Sequence, residues 1–128
     1  MTLGMFDYKI LFMKKLLVLF AIAFCLPVFA DQPQYTDKQT AVVRIMNKAA
    51  GKSYTGNVPV GRSADFEKLS VVVRDCKQTD PYQPENFYMF IEIKKSGDLI
   101  FSGWMNRNEP GDNPLQDVDY DLWLVRCE

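Results

Sequence analysis

Residues Phe87 to Lys94 place Phe87, Met89, Ile91 and Ile93 on one side of an extended chain and Tyr88, Phe90, Glu92 and Lys94 on the other. An apolar period of two over that length fits a half-buried strand and no helix. Lys95-Ser96-Gly97-Asp98 follows at once. Glycine there supplies the positive φ that a tight hairpin turn demands, so Leu99 to Met105 is predicted to return as the partner strand. A sheet with one apolar face has to bury that face against a second layer, and this hairpin therefore fixes the class of architecture.

Similar strand-and-turn signals recur along the chain. Ala41–Met46 and Ser53–Val58 are strand-like and flank the turn Ala49-Ala50-Gly51-Lys52. Val60-Gly61-Arg62-Ser63 breaks the chain, and Phe66 to Cys76 carries the run Leu69-Ser70-Val71-Val72-Val73-Arg74, rich in β-branched residues. Gln78 to Glu85 reads as a loop, Asn106 to Val118 as a long polar loop with Pro110, Gly111 and Pro114, and Tyr120 to Cys127 as the closing strand. Short strands with turn signals at this spacing predict an all-β fold, a small antiparallel β-sandwich or barrel.

The first thirty residues do not belong to that pattern. Lys14 and Lys15 precede the apolar run Leu16 to Phe29, and Val28-Phe29-Ala30 ends it with a small residue before the polar Asp31. The run is shorter than the roughly 20 apolar residues a membrane span needs. Residues 1–30 are therefore read as a signal peptide cut after Ala30, with translation starting at Met13 and Met1 to Phe12 as a preface. A lipoprotein anchored at Cys25 is the rival reading; Phe24 stands where a lipidation signal needs a small residue. Residues 31–40 are expected to be a flexible leader, residues 41–128 the single β domain, and no membrane span is expected to remain after cleavage.

Removing the signal leaves two cysteines, Cys76 and Cys127, and in an oxidising compartment two such residues pair. The disulfide they are expected to form would close the domain and stabilise it by about 4 kcal/mol through the entropy removed from the unfolded chain. The full chain has a formal charge of −1, and the mature part keeps 12 Lys and Arg against 15 Asp and Glu. That balance offers no basic stripe for phosphates, so nucleic acid is not an expected partner.

The chain contains no histidine, which removes Ser-His-Asp and Cys-His catalysis and histidine metal sites together. Paired cysteines remove thiolate nucleophiles and structural zinc, and no glycine-rich phosphate loop follows a strand. No catalytic residue, metal or cofactor is expected. Asp117, Asp119 and Asp121 alternate like the start of a calcium loop, but the glycine and glutamate that complete one are missing. A solvated edge is preferred to a weak cation site. Residue type permits a two-carboxylate glycosidase using Glu92 with one of these aspartates, but nothing in the spacing supports it. Trp104, Tyr120 and Trp123 flank the long loop and could make a stacking platform for a sugar or an apolar partner. Burial is the commoner fate of such residues, and both indoles are expected to pack mainly inside.

The segments Phe101-Ser102-Gly103-Trp104-Met105 and Tyr120-Asp121-Leu122-Trp123-Leu124, with terminal Cys127, resemble the DUF2155 family of uncharacterised exported proteobacterial proteins. Upstream, Val60-Gly61, Phe66, Leu69 and Val71 to Cys76 follow the same pattern. The chain departs from it at Asn106, where the family tends to an aromatic, and at Val118-Asp119, where it tends to His-Pro. The resemblance implies a periplasmic domain with the same cysteine pair, motif residues Gly103, Trp104, Met105, Tyr120, Asp121 and Trp123, and no assigned activity. The functional expectation is a non-catalytic periplasmic binding or envelope-associated module. It would present the 106–118 loop and nearby aromatics to an envelope protein or a glycan. The alternatives are an inhibitor of an envelope-attacking hydrolase such as lysozyme, and a small carboxylate-dependent hydrolase.

Overall fold

The computed structural model describes residues 34–128, and the expected signal peptide, the Met13 start, Cys25 and the cleavage point after Ala30 lie outside them. The described chain forms eight strands: β1 Tyr35–Asp37, β2 Thr40–Asn47, β3 Lys52–Pro59, β4 Ser63–Phe66, β5 Leu69–Thr79, β6 Phe87–Lys95, β7 Asp98–Asn106 and β8 Tyr120–Cys127. There is no helix among the described residues, and so none long and apolar enough to cross a membrane.

All pairings are antiparallel, in two sheets. The larger runs β1-β5-β6-β7, with β4 also on β5, and the smaller runs β3-β2-β8. β1 pairs with residues 77–79 of β5 and β4 with residues 69–72, so the two short strands share one edge of β5 end to end. Between the sheets lies a core of Val43, Ile45, Leu122 and Leu124 from one side and Val71, Val73, Met89 and Ile91 from the other, all buried. The fold is an antiparallel sandwich.

The alternation read from Phe87 to Ile93 holds: all four apolar positions of β6 are buried. The turn after it places Ser96 at φ 51° and Gly97 at φ 89°, the left-handed pair that joins twisted strands in two residues. Two strands depart from the sequence reading. β1 lies in the expected leader, because Tyr35 to Asp37 pair with a β5 that continues three residues past Cys76. β4 follows the expected break and turns into β5 through Glu67, at φ 55°. A non-glycine residue in that region costs on the order of 1–3 kcal/mol. The Glu67 carboxylate is held by Asn47 Nδ2 at 2.8 Å and the Tyr120 hydroxyl at 3.0 Å, bonds that offset the strain.

Cys76 and Cys127 form the disulfide, with Cα atoms 5.7 Å apart. Neither cysteine keeps step with its own strand. Leu69, Val71 and Val73 point inward, which by simple alternation would turn residue 76 outward; Leu122 and Leu124 do the same to residue 127. A bulge between Val73 and Asp75 re-phases β5. A second, opposite Val42/Val43, re-phases β8, so that Val43 faces Leu124 while Val42 faces Arg126. An extra residue in each strand is what aims both sulfurs into the core.

Candidate functional site

The family-motif residues do not form one site. Met105 and Tyr120 are buried in the core. Asp121 pairs with Lys48 at 3.5 Å. Trp123 is half-buried opposite Arg44, on the side of the smaller sheet away from the core. Trp104 is 44% exposed on the outer side of the larger sheet, against the expectation that both indoles are interior. The reason is register. Trp104 sits opposite Phe90, an outward position of β6, while Met105 sits opposite the inward Met89. The envisaged platform of Trp104, Tyr120 and Trp123 is therefore split across two sheets and the core.

Trp104 stands instead with aromatics the sequence had assigned only to the polar side of β6. Its ring lies 5.4 Å from Phe90, and Tyr35 of β1 lies 5.5 Å from Tyr88, both pairs edge-to-face. Tyr35 is 45% exposed. Lys77, opposite Tyr88, runs between them, its ammonium 3.2 Å from Asp75 and 3.8 Å from Asp37. Tyr35, Lys77, Tyr88 and Trp104 enclose a shallow cleft of about 220 Å³. A second cleft of about 250 Å³ shares Tyr35 and Tyr88 and continues past Gln34, Asp80, Gln83 and Asn108. Tyr35 escaped the sequence reading because β1 pairs with a segment more than forty residues away, which no local pattern reports.

The loop from Asn106 to Val118 is fastened along its length. Asn86, itself buried, donates to Asn106 Oδ1 at 2.7 Å and accepts from the backbone N–H groups of Phe87 and Asn108 at 2.8 and 3.1 Å. Arg107 bonds Glu85 at 2.9 Å, and its guanidinium lies 4.7 Å from the Phe87 ring. Asn113 Nδ2 donates to the Trp104 carbonyl at 3.0 Å, and Leu115 is buried. A Cβ on Gly103 would stand 3.0 Å from that same Asn113 nitrogen, which gives the glycine of the Gly-Trp-Met motif a packing role.

The carboxylates singled out in the sequence are met by lysines. Lys95 Nζ lies 3.1 Å from Asp117 and 2.7 Å from Asp119. Its hydrogen bonds to Asp119 and then Asp117 raise its pKa. Burial alone would push the Asp117 carboxyl up. The N–H groups of Asp119 and Tyr120 and the Lys95 ammonium outweigh it and hold the carboxyl below the usual range. No group of three or more His, Cys, Asp or Glu residues is arranged to hold a metal among the described residues. Glu92 bonds Arg74 at 3.2 Å on the outer side of β6, whereas Lys95 continues its inward-facing series. The two-carboxylate arrangement is not assembled.

Fold and site together define a disulfide-closed, two-sheet antiparallel β domain with an aromatic cleft on the outer face of its larger sheet. Residues 41–127 match the family described as an uncharacterized protein conserved in bacteria, DUF2155, and the chain belongs to that family. No curated protein and no solved structure matches it.

Proposed function

We propose that the protein is a non-catalytic binding module of the bacterial envelope, acting in the periplasm after export, with its ligand surface on the outer face of the larger sheet. The observation that carries this reading is the placement of Trp104 and Tyr35. Both rings stay nearly half exposed beside a cleft, although a chain with a small core gains stability by burying them. Trp and Tyr are also the residues on which binding energy concentrates at recognition surfaces. The Cys76–Cys127 bond fits an oxidising compartment, and the apolar run Leu16–Phe29, preceded by Lys14 and Lys15, reads as an export signal. Support for a non-catalytic role comes from the missing histidine and the separated carboxylates.

Co-sedimentation of the processed protein with isolated bacterial envelopes tests the reading. The wild type is expected to pellet with the envelope fraction. Trp104→Ala is expected to stay in the supernatant with an unchanged thermal midpoint. Equal pelleting of both proteins would remove the aromatic cleft as the binding surface.

A further inference from the structure

We propose that the ligand of the aromatic cleft is a neutral oligosaccharide of equatorially substituted pyranoses, lying across the strands from Trp104 towards Tyr35. This rests on the binding-module reading and names its ligand class. An aromatic ring takes the face of a sugar whose axial positions carry only hydrogens, because those C–H groups are weakly positive and the ring face is negative. The outer rings are also held before any ligand arrives: Phe90 backs Trp104 and Tyr88 backs Tyr35, each edge-on. A stacking surface fixed in this way loses little side-chain entropy on binding.

Hydrogen-bonding capacity surrounds those rings. The hydroxyls of Tyr35 and Tyr88 and the indole N–H of Trp104 make no side-chain hydrogen bond among the described residues, and all three side chains line the cleft. Gln34 and Gln83 add amides in the adjoining cleft. A purely apolar partner would leave these groups dehydrated and unpaired, whereas sugar hydroxyls pair with donors and acceptors alike.

Charge narrows the class further. Lys77 is the one charged residue lining the first cleft, and Asp37 and Asp75 already engage its ammonium, while Asp80 is the one charged residue lining the second. A phosphorylated, sulfated or uronic chain would meet net negative charge here. Length favours an oligomer over a single sugar. Trp104, Tyr88, Lys77 and Tyr35 sit on four successive strands, whose outermost backbones are about 14 Å apart at ordinary strand spacing, and the adjoining cleft extends the surface past Gln83 and Asn108.

The test is titration of the processed protein carrying Trp123→Phe, so that Trp104 alone reports by fluorescence. Tri-N-acetylchitotriose and cellotriose serve as neutral probes and a trigalacturonate as the anionic one. A neutral trimer is expected to shift the Trp104 emission to shorter wavelength and to bind about equally at low and high salt, with the trigalacturonate weaker. Tyr35→Ala should weaken binding by roughly tenfold. Calorimetry on Trp104→Ala, which needs no fluorophore, should show a similar loss. Stronger binding of the trigalacturonate would overturn the neutral class. If no probe binds while envelope pelleting still depends on Trp104, the glycan proposal fails and the binding module stands with a protein partner. If pelleting is also independent of Trp104, both fall.

Discussion

The rim around Lys95 and the outer face around Trp104 lie at opposite ends of the same two central strands, and they treat their functional groups in opposite ways. At the rim, Lys95 is matched to Asp117 and Asp119, Glu67 to Asn47 and Tyr120, and Lys48 to Asp121 and the Asp117 carbonyl. Each of these charged groups finds its counterpart inside the chain. On the outer face, Tyr35, Tyr88 and Trp104 keep their polar ends and much of their ring surface unpaired within the described residues. A self-matched cluster is a stability device. An unmatched aromatic cluster is where an outside partner gains most.

The largest expected effect belongs to the self-matched part. Cys76→Ala should lower unfolding free energy by about 2–5 kcal/mol, measured by equilibrium denaturation under non-reducing conditions. A loss well below that range would mean that the two bulges and the core hold β5 and β8 together without the covalent link. Gly56→Ala comes next. A Cβ on Gly56 would stand 2.5 Å from the Phe66 ring, which packs across from β4 to β3 and has to move. The expected cost is about 1–3 kcal/mol. Gly103→Ala, whose neighbour is the end of an Asn side chain, should cost less in the same assay.

The rim also carries a pH signature. Asp117 is held below its ordinary 3.8, so its contribution is full above that value and is lost as pH falls through the lower folded value. Lys95 is raised above 10.5, so its contribution is full below that value and is lost as pH rises through the higher folded one. Between these limits both are charged. Asp117→Ala should cost about 1–2 kcal/mol at neutral pH through the two N–H groups it leaves without an acceptor. The gap from wild type should begin to narrow as pH falls below the ordinary carboxylate value of 3.8 and close further towards the lower folded value, where the wild-type carboxyl loses its charge. A gap that stays constant with pH would leave only the packing contribution of the side chain.

Much of this fold was legible because it is written locally. Period-two alternation located β6, turn residues located its hairpin, and the count of cysteines named the disulfide. Even the bulges had a trace: Leu69, Val71 and Val73 are odd-numbered while Cys76 is even, and a strand that buries all four has to slip by one residue. The rest depends on pairings distant in sequence. β1 has no apolar pattern and exists through β5. β4 turns on Glu67, a residue with no turn propensity, held by a tyrosine fifty-three positions away. The site was half legible for the same reason. Trp104 stands out in the sequence, but its neighbours in space are not the next aromatics along the chain: strand pairing supplies Phe90, Tyr88 and Tyr35.

The smallest stability effect is the most informative. Trp104 lies opposite Phe90 on a solvent-facing side, so Trp104→Ala removes one edge-to-face pair and partly exposed surface but opens no core cavity. Its cost should be about 1 kcal/mol or less, against the 3–5 kcal/mol typical of a fully buried indole. Trp123→Ala should cost more, because that side chain is more enclosed. With Trp123→Phe as the background, Trp104 emission should be red-shifted and readily quenched by acrylamide, and a ligand in the cleft should protect it. A blue-shifted, unquenched Trp104 that costs several kcal/mol to remove would place the indole in the interior. The outer face would then be as self-matched as the rim. An exposed indole that contributes little to stability and is lost to binding when removed marks the face as one kept open for a ligand.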